Sequence, residues 1–182
     1  LLFGFVLPVA FMSLLTQLTR QSLDSSVAAT QLVANTDATI DGANGLLLLI
    51  VTAQNSERGF LLTRDPAFLA TYDRAMAQFG RRAAELRLRV SNDPVQSSEV
   101  DHIVELFERW RSESATPLVR RYNAGPGADR TSELPEPVSL DGLRLIGHGL
   151  ALSNEILMAV DTFVARERTR LTQRTDASTR TI

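Results

Sequence analysis

Cysteine is absent from the 182 residues, which rules out disulfides, thiol catalysis and cysteine-ligated metal. Lysine is absent too: all 19 basic residues are arginine, set against 21 acidic ones. A net charge of -2 offers no basic surface for nucleic acid, so no nucleic-acid partner is expected. The chain has no phosphate-binding glycine loop, no dinucleotide fingerprint, no Gly-x-Ser-x-Gly turn and no pair of histidines at catalytic spacing. No catalytic residue, metal or cofactor is therefore expected. Strand-like alternation, internal repeats and low-complexity tracts are missing as well, and helix is the pattern that remains.

At 44% hydrophobic and 22% charged residues, the chain has the composition of one folded domain. It does not begin with Met, as expected of a fragment of a longer protein. Its first 19 residues, LLFGFVLPVAFMSLLTQLT, carry no charge and approach the ~20 apolar residues of a spanning helix. A secretory signal peptide is the competing reading. The apolar stretch is long for one, however, and no small-x-small cleavage site follows. Residues 1–19 are thus expected to be a transmembrane helix, truncated at its start, with residues 20–182 on the far side of the membrane.

No proline falls between Val9 and Asp65, so one helix can run from the membrane to Thr63. Its polar part has a weak stripe at Leu23, Val27, Val33, Asp37 and Ile40, interrupted by Gly42 and Gly45. Residues 46–51, LLLLIV, are too few to span a bilayer and read as a buried segment. Asp65-Pro66 and Asp93-Pro94 each pair a favoured N-cap with a residue pre-set for the first helical turn. They open helices over 66–91, with Phe68, Tyr72, Phe79, Leu86 and Val90 on one face, and over 94–123, with Val100, Ile103, Phe107, Trp110 and Leu118. The segment NAGPGADRTSELPEP reads as a loop, and a fourth helix over 139–182 carries Leu143, Ile146, Leu150, Leu157, Val160 and Val164. Four such stripes bury one another most simply as an all-α, antiparallel up-down-up-down four-helix bundle.

Glu57-Arg58-Gly59-Phe60-Leu61-Leu62-Thr63, followed by Asp65-Pro66-x-Phe68-Leu69-x-x-Tyr72, resembles the RGYLLTG-D-x-x-x-L-x-x-Y signature of the type-three CHASE domain. The LFERW around Trp110 is similar to that family's later L-x-x-x-W element. Phe60 stands where the family has Tyr, and Arg64 where it has Gly. The resemblance implies an extracytoplasmic sensor in the inner (cell) membrane, on the periplasmic or extracellular side, belonging to a histidine kinase, diguanylate cyclase or chemoreceptor. It further implies a homodimer that receives a small-molecule or protein stimulus and passes it inward by helix rearrangement. A structural or dimerising bundle that binds no ligand is the alternative.

Five residues are candidates for a site: Glu57, Arg58, Arg64, Tyr72 and Trp110. Arg58 is either a clamp that crosses the bundle to a carboxylate, or, with Arg64 and Tyr72, a fork for an anionic ligand. Gly59 would let a second helix approach closely. Trp110, Phe107 and Tyr122 are either core or the wall of a cavity between helices. Ser153, Asn154, Gly42 and Gly45 are places where loose packing would let a helix shift. Glu99-x-x-His102 is half of a carboxylate metal motif and reads as helix surface, because no second pair accompanies it. Arg166, Arg168, Arg170, Arg174 and Arg180 are either a solvated face or a contact to anionic lipid.

Overall fold

The computed structural model describes the backbone of residues 3–123 and 140–179, and the side chains of residues 31–122, 140–173, 175 and 176. The side chains of the expected spanning segment, residues 1–19, and the whole of residues 124–139 lie outside the described residues. Among those described, no helix is long and apolar enough to cross a membrane.

All described structure is helical: α1 Phe3–Thr63, α2 Pro66–Val90, α3 Pro94–Trp110, a π-helical turn Arg111–Ala115, α4 Thr116–Asn123 and α5 Leu140–Thr179. There is no strand among the described residues. The expected third helix over 94–123 thus widens into a π-helical turn in its middle, and Pro117 explains the widening. Proline has no N–H for the carbonyl four residues back, and its ring crowds that carbonyl, here Glu113 O. The chain responds by widening one turn, so that Thr116 N–H donates to Arg111 O, five residues back.

Two compact units are separable, residues 1–38 with 167–182, and residues 39–166. In the first, Glu167 is fully buried and one of its oxygens accepts from the Arg170 guanidinium at 3.1 Å. The second unit holds the core.

The core combines Ile40, Ala43, Leu46, Ile50 and Ala53 of α1 with Tyr72, Phe79, Leu86 and Val90 of α2. Val100, Ile103, Phe107 and Trp110 of α3 join them, together with Leu152, Ile156, Val160 and Phe163 of α5. Each set advances by three or four residues, as a helix must to keep one face inward. On α1 this stripe corrects the expected one, since Asp37 is exposed while Thr36 and Thr39 are buried. Within LLLLIV, Leu46 and Ile50 enter the core while Leu48 is 68% exposed, because residues two apart face opposite sides of a helix. Aromatic rings link α2 to α3: Phe79 lies 3.9 Å from Phe107 between ring centroids, and Tyr72 lies 6.3 Å from Trp110.

The helix starts follow the sequence signals. Asp65 accepts from Ala67 N–H at 2.9 Å, and Asp93 accepts from Val95 and Gln96 N–H, each ahead of a proline in the first turn. Gly59 is covered by the Phe68 ring so closely that a Cβ there would lie 2.4 Å from a ring carbon. At Gly149 of α5 a Cβ would lie 2.2 Å from Ser114 Oγ.

Gly149→Ala is therefore expected to cost about 1–3 kcal/mol of unfolding free energy, because the added methyl displaces the Ser114 hydroxyl. Gly80, exposed on α2 with nothing within 4 Å, should gain roughly 0.4–1 kcal/mol when changed to Ala. Denaturant melts of the two variants should move in opposite directions.

Candidate ligand-binding site

A cavity of about 550 Å³ opens in the 39–166 unit. The end of α1 supplies Glu57, Arg58, Leu61, Leu62 and, just past its last turn, Arg64. Trp110 closes α3, Ser114 comes from the π-helical turn, and Leu118 and Tyr122 come from α4. The α5 wall is Ile146, Gly149, Leu150 and Ser153. Such a volume falls in the ~300–1,000 Å³ range of small-molecule sites, and the wall is mainly apolar with a few polar groups.

The π-helical turn shapes this wall. By inserting one residue it turns Ser114 inward, where the hydroxyl donates to Leu145 O of α5 at 2.9 Å. Gly149, one turn further along α5, leaves room for that hydroxyl. On the outer side Glu113 Oε2 lies 2.7 Å from His148 Nε2, and Arg109 Nε donates to Glu113 Oε1 at 3.2 Å. His148 first, then Arg109, holds the Glu113 carboxyl below its ordinary range. The π-helical turn is thus fastened to α5 on both faces.

Of the charged pair, Glu57 and not Arg58 is buried. Glu57 is 5% exposed, while Arg58 is exposed and has no carboxylate within ion-pair distance among the described residues. The clamp reading of Arg58 is therefore corrected: position 57 falls on the buried 50, 53, 57, 60 stripe, and position 58 is turned ~100° from it. Burial pushes the Glu57 carboxyl up to about 7, against the partly opposing charge of Arg58. Tyr72 does not line the cavity but packs beside it against Trp110. Its hydroxyl is buried without a well-formed hydrogen bond, and burial followed by the Glu57 charge pushes it up to about 12. The neighbouring Thr116 side chain offsets part of that rise.

Arg64 is the strained residue. Its φ of 60° is left-handed, the conformation in which a helix commonly ends on glycine, and its N–H closes the last turn on Phe60 O at 2.9 Å. An L side chain is disfavoured there by roughly 1–2 kcal/mol. The guanidinium is held 3.9 Å over the Tyr122 ring, which returns about 0.5–1 kcal/mol as a cation–π contact.

Trp110 lines the cavity while also stacking on Phe107 at 5.4 Å, so its two expected roles coincide. Ser153 is buried on the cavity wall, whereas Asn154 is exposed. A second hollow of about 500 Å³ contains Glu99, His102, Glu155 and Arg166, with Arg166 paired to Glu99. That pairing draws Arg166 out of the expected basic face, and Arg170 is paired to Glu167. The side chains of Arg174 and Arg180 lie outside the described residues. Ser114 and Gly149 escaped the sequence reading, although Pro117 and the Gly147-His148-Gly149 triplet were the visible signals.

Among the described residues, an all-helical core with a lined cavity between its helices defines a class, the helical bundle with a candidate small-molecule site. The CHASE3 domain family matches residues 29–177, and the chain belongs to that family. Among solved structures, the sensor domain of the histidine kinase HK9 of Rhodopseudomonas palustris is similar in fold. It has 22% identity and a TM-score of 0.59, with coverage of 75% of this chain and 98% of that one. No curated protein sequence matches the chain.

Two tests follow from this geometry. Between pH 4.5, the unfolded value of Glu57, and about 7, the folded chain keeps a proton that the unfolded chain has lost. This group therefore destabilises the fold increasingly as pH rises through that window, and its effect is level above it, reaching a few kcal/mol at ~1.4 kcal/mol per pH unit. The stability of Glu57→Gln relative to wild type should thus rise between pH 5 and pH 8. A constant difference would show that Glu57 titrates normally. Arg64→Gly should be more stable than Arg64→Ala by about 1 kcal/mol in urea melts, since both lose the Tyr122 contact and only glycine relieves the backbone.

Proposed function

We propose that the chain is the extracytoplasmic ligand-sensing module of a bacterial transmembrane receptor, with a histidine kinase, diguanylate cyclase or chemoreceptor output elsewhere in the protein. Membership of a sensory-domain family supports the signalling role. The single observation that carries ligand sensing is the cavity between α1, α3, α4 and α5, with Glu57, Trp110 and Ser153 on its wall. In this reading the helices alternate up and down, residues 1–19 anchor the module in the cell membrane, and two copies pair as a homodimer. Glu57, Arg58, Arg64 and Trp110 contact the stimulus, and Tyr72 supports Trp110 from behind.

The same geometry suggests how occupancy becomes a signal. The cavity is walled by separate helices, so a ligand that prefers one spacing of α5 against α1 and α3 shifts their packing by its differential affinity and no more. The Ser114–Leu145 bond and the small residues Gly149 and Ser153 lie along the surface where α5 would slide.

The test is a panel of organic acids, amines, amino acids and sugars added to the whole chain in lipid nanodiscs, read by thermal melting. A stimulus that binds the folded state alone should raise the melting temperature by several degrees at about 100 times its dissociation constant. No shift across the panel, with receptor output unchanged in Trp110→Ala, would favour a bundle that only spaces or dimerises its partners.

A further inference from the structure

The sensor reading leaves the chemistry of the stimulus open, and three features of the cavity rim narrow it. Two guanidinium groups, Arg58 and Arg64, line the cavity, and neither has a carboxylate within ion-pair distance among the described residues. Asp65, next in sequence, is committed to capping α2 through Ala67 N–H. Among the described lining residues Glu57 is the one acidic group against two arginines, so the lining carries net positive charge whether or not Glu57 is ionised.

The second feature is the placement of Arg64. Its guanidinium carbon lies 3.9 Å from the Tyr122 ring centroid, and its N–H donors have no carboxylate partner among the described residues. Those donors have the fork geometry that matches a carboxylate or phosphate. The third is strain. Arg64 keeps a long charged side chain on a left-handed residue where glycine would fit freely, and such outliers gather at ligand clamps. The rest of the lining is mainly apolar and includes Leu61, Leu118, Ile146 and Leu150.

We infer that the cavity binds an amphipathic organic anion, its apolar body against Leu61, Leu118, Ile146 and Leu150 and its carboxylate or phosphate head on Arg64 and Arg58. This rests on the sensor reading above and narrows it to one ligand class. The head bonds to the Arg64 N–H donors while the body displaces water from the apolar wall. Arg58, exposed beside the cavity, supplies the second guanidinium to the head.

Four probes of equal chain length separate the possibilities: octanoate, octyl phosphate, octanol and octylamine. Trp110, the sole tryptophan, lines the cavity and reports binding by its fluorescence. The whole chain in lipid nanodiscs is titrated against empty discs as the blank. The expected result is saturable binding of octanoate or octyl phosphate, at least about tenfold tighter than octanol, with the tighter of the two naming the head group. Arg64→Gly keeps the backbone shape and should weaken the anion about tenfold while leaving octanol unchanged. Arg58→Gln should do the same to a smaller degree. Equal affinity for octanoate, octyl phosphate and octanol, or an anion affinity unchanged in Arg64→Gly, overturns the inference. Preference for octylamine overturns it in favour of a cation held by Glu57, and leaves the sensor reading standing. Failure of all four probes overturns the anion inference, and the broader panel then decides the sensor reading separately.

Discussion

The missing N–H of Pro117 is the constraint on which the rest of the site depends. A proline in mid-helix forfeits one backbone bond and crowds the carbonyl behind it, and the chain absorbs both by opening the turn between Arg111 and Ala115. Everything on the α3 and α4 side of the cavity follows from that widened turn. It rotates Ser114 towards α5, makes a partner of Leu145 O and requires that position 149 have no side chain. A regular helix over the same residues would give α5 a different surface to pack on. π-turns recur at functional sites because an added residue redirects side chains without breaking the rod.

Two costs are concentrated at the end of α1 beside this wall. Glu57 takes a carboxyl out of water without a full ion pair, and Arg64 holds a left-handed backbone without being glycine. Each opposes folding by an amount comparable with a sizeable fraction of ordinary domain stability, which is about 5–15 kcal/mol. The hydrophobic core beside it carries no such charged or strained group: Phe79, Phe107, Ile103, Leu86 and Ile156 are apolar and covered. Stability is supplied by that core and spent where the cavity lies, the usual division between scaffold and site.

Most of the fold could be read in the sequence because helix grammar is local. Asp65-Pro66 and Asp93-Pro94 mark starts whose caps are seen in the structure, and the stripes on α2 and α3 name the buried residues nearly one for one. On α1 the stripe was harder to read, since its inward positions include Thr36, Thr39, Gln54, Ser56 and Glu57, which carry no hydrophobic signal. The site was legible in part. Glu57, Arg58, Arg64 and Trp110 stood out and do share one cavity, but which of the charged pair is buried depends on helical phase, and the phase is set by contacts with other helices. Ser114, Gly149 and Ile146 carry no chemistry that a motif could flag. Their importance arises only from the packing of one helix on another.

Arg64 is also a position where the usual conflict between folding and novelty is reversed. Most binding residues cannot be exchanged without endangering the structure that holds them. Here the most readily accommodated alternative, glycine, is the residue the backbone prefers, so losing the arginine relieves the fold. A lineage carrying this domain can therefore exchange the side chain that position 64 presents to the cavity without a compensating change elsewhere. The strained turn makes the chemistry of this part of the cavity wall cheap to change in evolution.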